Sequence, residues 1–165
     1  MKIFSFFLVL LLPYAGIGQN NLRADAGKMG KALAEKNYEV YLNYTYPKLL
    51  KDMGGREKMK QTIQTQMEDL ERQGIKILSV SYGEPSVIIK EKKELQATLP
   101  QQITFESTNG KVTAQSTIIA ISQDAGAHWY FIDPGERDLE TVRITLPNLS
   151  KKLILSPPAP VKMEK

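Results

Sequence analysis

Residues 95–122 read LQATLPQQITFESTNGKVTAQSTIIAIS. Leu95, Ala97, Leu99, Ile103 and Phe105 fall on odd positions, so in an extended chain their side chains share one face while their neighbours point the other way. Asn109-Gly110 is the strongest short hairpin signal available, set between a strand ending near Glu106 and one starting at Lys111. Further on, Ile118, Ile119, Ala120 and Ile121 are apolar without alternation. That pattern marks the strand Val112 to Ser122 as central and covered on both faces. Pro100 has no N–H to give to a ladder, which predicts an edge or a bulge in the first strand.

The same period runs through the flanking sequence. Leu78, Val80 and Tyr82 alternate with Ser79 and Ser81, predicting a strand with one buried face. Glu84-Pro85 breaks it, and Val87-Ile88-Ile89 begins another extended stretch. On the other side, a turn at Gln123 to Gly126 leads into the aromatic strand His128 to Ile132, closed by Asp133-Pro134-Gly135.

The period before residue 75 is helical. Leu22, Ala26, Met29, Leu33 and Val40 define an amphipathic helix, expected to bend near Lys36-Asn37. Gly27 and Gly30 weaken it by roughly 1 kcal/mol each relative to Ala, unless small residues there admit a neighbouring element. Thr45-Tyr46-Pro47 reads as a cap with Pro in the first turn of a short helix, ended by Gly54-Gly55. A third helix starts near Arg56, buries Met59, Ile63, Met67 and Leu70, and stops at Gly74. Helices followed by an antiparallel meander define an α+β domain, with N-terminal helices packed on a curved antiparallel sheet.

Met1-Lys2, the apolar run Ile3 to Leu12 and the small residues Ala15-Gly16-Ile17-Gly18 form the three parts of a secretory signal peptide over residues 1–18. The run is shorter than the roughly 20 residues a membrane anchor needs. The expectation is an exported protein, periplasmic or extracellular, with no stable membrane insertion after cleavage. Residues 19–150 form one domain, and the Pro-rich stretch 151–165 is expected to be a disordered tail. The chain has no Cys, so neither a lipid anchor on cysteine nor a disulfide enters the account.

The formal net charge is +4, but acidic residues are interspersed and no basic stripe with interleaved aromatics appears. That pattern argues against nucleic acid as a partner. With one His and no Cys there is no metal-ligand spacing, and no metal or other cofactor is expected.

The order of helices, then long strands joined by hairpins, then the aromatic strand Trp129-Tyr130-Phe131-Ile132-Asp133 resembles the nuclear transport factor 2-like superfamily, the cystatin-like α+β cone. Lys36-Asn37-Tyr38 is similar to that superfamily's Gly/Lys-Asp-Tyr passage. The resemblance covers about residues 22 to 135. It departs where many members place a short strand after the first helix and this chain has Thr45–Pro47 and Gly54-Gly55. The resemblance implies a pocket between helices and sheet. Members include isomerases, dehydratases, cyclases and pure binding proteins, so it does not choose a function.

Ser122-Gln123-Asp124-Ala125-Gly126-Ala127-His128-Trp129 is similar to the Asp-box, S-x-D-x-G-x-T-W, with His128 in the Thr position. Asp124, Gly126 and Trp129 are therefore expected to be structural, as turn cap, turn glycine and buried ring. His128, the single histidine, is expected on the face shared by Tyr130 and Ile132. It is a candidate acid/base if that face lines a pocket, and otherwise an exposed residue beside a turn. Asp133 is a candidate pocket carboxylate or the start of a turn. Tyr38, Tyr41, Tyr44 and Tyr130 are candidate ligand-binding rings, with Tyr46 in the same cluster. The preferred reading is a non-catalytic binding domain for a small apolar or amphipathic ligand or a protein partner. The alternatives are a small lyase or isomerase using a pocket His128, and a module that acts as a homodimer.

Overall fold

The computed structural model describes residues 15–164. Helix α1 (Ala15–Ala34) turns Leu22, Ala26 and Met29 into the core, the i, i+4, i+7 positions of one face. Gly30 is small for a steric reason: a Cβ there would stand 2.9 Å from the Tyr82 ring and 3.1 Å from Val80. Gly27 meets nothing within 4 Å, so close approach explains only one of the two glycines.

The expected bend at Lys36-Asn37 is a break. Lys36 takes a φ of 58°, and the N–H groups of Lys36 and Asn37 donate back to the Leu33 and Ala32 carbonyls, closing α1 with a left-handed cap. The Asn37 side chain then caps a separate helix, α2 (Tyr38–Leu42), by accepting from Val40 N at 3.2 Å. Helix α3 (Pro47–Asp52) has Pro at its first position, but its N-cap is Tyr46, with no side-chain cap bond. Thr45 serves the sheet edge instead, bridging in parallel to Phe131. Helix α4 (Arg56–Arg72) buries Ile63, and Gly74, at φ 77°, stops it.

The strands β1 (Lys76–Tyr82), β2 (Ile89–Glu91), β3 (Glu94–Ser107), β4 (Gly110–Ser122) and β5 (Tyr130–Ile132) follow. Helix α5 (Leu139–Thr145) and strand β6 (Ala159–Glu164) complete the described chain. The sheet is antiparallel, ordered β1-β3-β4-β5, with β2 added to β3 and β6 to β4. It curls into a half-barrel, giving the α+β architecture the pattern implies. One face carries Ala97, Leu99, Ile118, Ala120 and Phe131 against α1. The other carries Ile119, Ile121 and Ile132 against Val142 of α5 and Leu146, Leu149 and Leu153 beyond it. The C-terminal half of β4 is thus buried on both sides, as its unbroken apolar run requires.

Further local expectations are corrected along the strands. Leu78 is 43% exposed, because the β1–β3 register slips between Ile77 and Ser79 and the bulged residue leaves the inward row. The β3–β4 turn is Thr108-Asn109, one residue earlier than the Asn-Gly reading; Ser107 pairs with Gly110, which takes the positive φ of 116°. Pro100 sits in the interior of β3, but its carbonyl accepts from Gly83 N at 2.9 Å. Its nitrogen faces that same side, where β1 has ended and β2 has not begun, so no β3–β4 bond is lost.

Residues 151–165 contain Leu153, 4% exposed, and β6 on the β4 edge rather than a disordered tail. An edge strand needs only alternate N–H groups, so Pro160 does not prevent its pairing. Of the signal peptide, residues 1–14 lie outside the described residues, while residues 15–18 form the first turn of α1. No helix among the described residues is long and apolar enough to cross a membrane.

Candidate functional site

The turn before β5 is built as the Asp-box pattern implies. Ser122 Oγ donates to Asp124 Oδ1 at 2.9 Å and accepts from Gly126 N at 2.8 Å. Asp124 Oδ1 also accepts the His128 N–H at 2.9 Å. Ala125 and Gly126 take positive φ values of 59° and 92°. Burial would raise the Asp124 carboxyl, but the His128 N–H, its ring and the Ser122 hydroxyl together hold it down at about 2. Trp129 is buried at 1% exposure, with its backbone N–H on Asp25 Oδ2 at 3.1 Å and its indole N–H on the Gly18 carbonyl at 3.0 Å.

His128 is on the outside. Its side chain is 74% exposed and its Nδ1 lies 2.6 Å from Asp124 Oδ2, so the ring completes the turn. The pocket acid/base role considered for it fails on geometry, since a general base needs a site that excludes water.

Two of the other candidates do come together. Asp133 accepts from Gly135 N at 2.8 Å through one oxygen, the turn geometry of Asp-Pro-Gly, and from Gln101 Nε2 at 3.2 Å through the other. Gln101, only 6% exposed, also donates to Ser116 Oγ at 3.2 Å. The Tyr41 and Tyr82 phenols face this carboxylate. Burial, then the Asp133 charge, pushes Tyr41 up to about 12. Burial, then Tyr41 and Asp133, raises Tyr82 as well. The group is a carboxylate held by Gln101 and the Gly135 N–H, with two buried phenols in its field.

Tyr38 stands at a different place. The ends of α1 and α4 and the start of β1 enclose a cleft of about 250 Å³, walled by Leu33, Ala34, Met67, Leu70 and Ile77. An ion pair between Lys36 and Glu71 spans its rim. Burial is the main cause raising the Tyr38 phenol, with Lys36 opposing and Glu71 adding. The cleft is thus apolar within and charged at the mouth, with one phenol in its wall.

Tyr44 packs on the α1-side core and accepts from Phe131 N through its carbonyl at 2.7 Å. Tyr130 packs on the α5-side core. Neither lines the cleft. Tyr46 donates to Glu94 Oε1 at 3.0 Å, where Gln123 also donates at 2.8 Å. Burial and that carboxylate push the Tyr46 phenol up to about 12. The fully buried Gln96 donates to Glu94 and to the Asn148 carbonyl, and accepts from Ser150 N at 2.9 Å. This network fastens the C-terminal segment to the sheet.

Sequence reasoning passed over Tyr82, Gln101 and the Lys36–Glu71 pair. Gln101 carried a signal, being a polar residue on the odd, apolar row of β3. Lys36 and Glu71 are far apart in the chain and carried none.

The fold and its cleft define the class as an α+β chain with helices on a curled antiparallel sheet. No family model matches the chain, and no curated protein does. A structure of a protein from Catenulispora acidiphila solved at 2.5 Å is similar over 74% of this chain and 93% of that one, with 15% identity and a TM-score of 0.47.

Proposed function

We propose that this chain is an exported, non-catalytic binding domain of the nuclear transport factor 2-like kind, taking a small amphipathic ligand in the cleft between α1, α4 and β1. One observation carries the reading: apolar walls of Leu33, Met67, Leu70 and Ile77, with the Tyr38 phenol among them, end at a rim bearing the Lys36–Glu71 pair. Such a lining suits an apolar body with one polar end, because burial of the body supplies affinity and the rim fixes orientation. The volume, about 250 Å³, lies just under the roughly 300–1,000 Å³ usual for ligand pockets and favours a small molecule. The leader supports export, and the order of elements supports the superfamily.

Titration with a short-chain fatty acid and with its methyl ester, followed by displacement of a fluorescent apolar probe, tests it. Saturable binding that Ala34→Phe abolishes by filling the cleft is the expected result. Binding that survives in a folded Ala34→Phe variant would place the ligand elsewhere.

A further inference from the structure

The sheet face opposite α1 changes character along its length. Under α5 and the segment after it, the face buries Ile119, Ile121 and Ile132 beside Gln96 and Thr98. Beyond Ile119 its cross-strand rows read Thr117 opposite Pro100, then Gln115 opposite Gln102 opposite Ser81, then Thr113 opposite Thr104 opposite Ser79. The side chains paired in these rows are uncharged, and all but Pro100 can hydrogen-bond. Charges return at the tip, where Lys76, Glu106 and Lys111 are in register, and on β6, where Lys162 stands opposite Thr113.

In a chain that is 24% charged, a solvent-facing sheet surface is expected to carry Lys and Glu, which preserve solubility and oppose sheet-to-sheet association. Amides and hydroxyls forgo that protection. What they offer instead is a dense array of neutral donors and acceptors.

A groove of about 430 Å³ lies on this surface, with Ser81, Gln102, Gln115 and Thr117 in its floor and Ser156 in its wall. No charged side chain lines it among the described residues. Gln115 Nε2 donates to Gln102 Oε1 at 3.3 Å, which sets the two amides side by side and leaves each with capacity for a further bond. Pro100 adds an apolar ring edge.

We propose that this groove is a second binding site, for a neutral polyhydroxylated ligand of the short-saccharide class. Paired hydroxyls on a sugar match paired amide and hydroxyl side chains, and the C–H face of a pyranose matches the Pro100 ring. The volume falls in the range of about 300–1,000 Å³ that accommodates small ligands. The groove is formed by other residues than the α1–α4 cleft, so either site stands without the other.

The test is a titration of the full chain, by nuclear magnetic resonance, with neutral gluco-, galacto-, manno- and N-acetylglucosamine trisaccharides. At least one is expected to bind with little salt dependence, shifting the Gln102 and Gln115 side-chain amides. The Gln102→Ala/Gln115→Ala double variant, exposed at both positions and expected to fold, should weaken it by about tenfold or more. Binding by none of the four, or binding unchanged in the double variant, overturns the proposal. Concentration-dependent self-association that the same variant abolishes also overturns it, by assigning the face to a second copy of the chain.

Discussion

The Asp25 carboxylate, in the middle of α1, accepts the buried backbone N–H of Trp129 at 3.1 Å. The two residues are 104 apart in the chain, and this bond locks the first helix to the turn that starts β5. Its other oxygen holds Lys28 Nζ at 3.1 Å. Asp25→Ala leaves a buried N–H without an acceptor and is expected to cost about 1–3 kcal/mol. Asp25→Asn keeps an acceptor and should recover much of that. Urea unfolding followed by Trp129 fluorescence checks both; equal losses would mean that the charge, not the hydrogen bond, matters.

Asp124 gives a pH dependence of known sign. Its carboxyl sits at about 2 in the folded chain against an ordinary 3.8. The carboxylate's contribution is therefore fully present above about pH 4 and is lost as pH falls toward 2. The urea midpoint of the wild type should exceed that of Asp124→Asn at neutral pH, with the gap closing between pH 4 and 2. A gap that stays constant through that window would contradict the assignment.

The bulge in β1 separates two residues that the bare alternation treats alike. Leu78→Lys is expected to change stability by about 0.5 kcal/mol or less, as at other surface positions. Val80→Lys, against Gly30 of α1, should cost about 1–3 kcal/mol through burial of a charged chain. Similar losses at the two positions would mean that the register runs without a bulge.

These pairs also show what the sequence revealed. The two long strands, the buried run in β4 and the Asp-box turn were legible because each is a local pattern whose period or turn chemistry acts over a few residues. The bulge at Leu78 was not, since it depends on what β3 presents across the ladder. The break at Lys36 was hidden because lysine, unlike glycine, gives no sign that it will adopt a positive φ. The cleft was half legible: Met67 and Leu70 were known to share a face, but nothing local said that α1 and β1 would leave space beside them. Strand β6 was obscured by its prolines, which mark irregular structure in isolation and are tolerated on an edge.

Trp129, the single tryptophan of the chain, also reports on export. Its indole N–H donates to the Gly18 carbonyl, which cleavage after Gly18 would remove. Trp129 emission in a chain beginning at Gln19 is therefore expected at longer wavelength than in one beginning at Ala15. Identical spectra would mean that the indole finds another acceptor of equal quality.

A small amphipathic molecule in the α1–α4–β1 cleft is expected to travel with the purified protein. Native mass spectrometry of the protein purified from its native host, beside its Ala34→Phe variant, reads this out. A low-mass amphipathic species retained by the wild type and missing from the variant is the expected result. The same species on both proteins, or on neither, would contradict it.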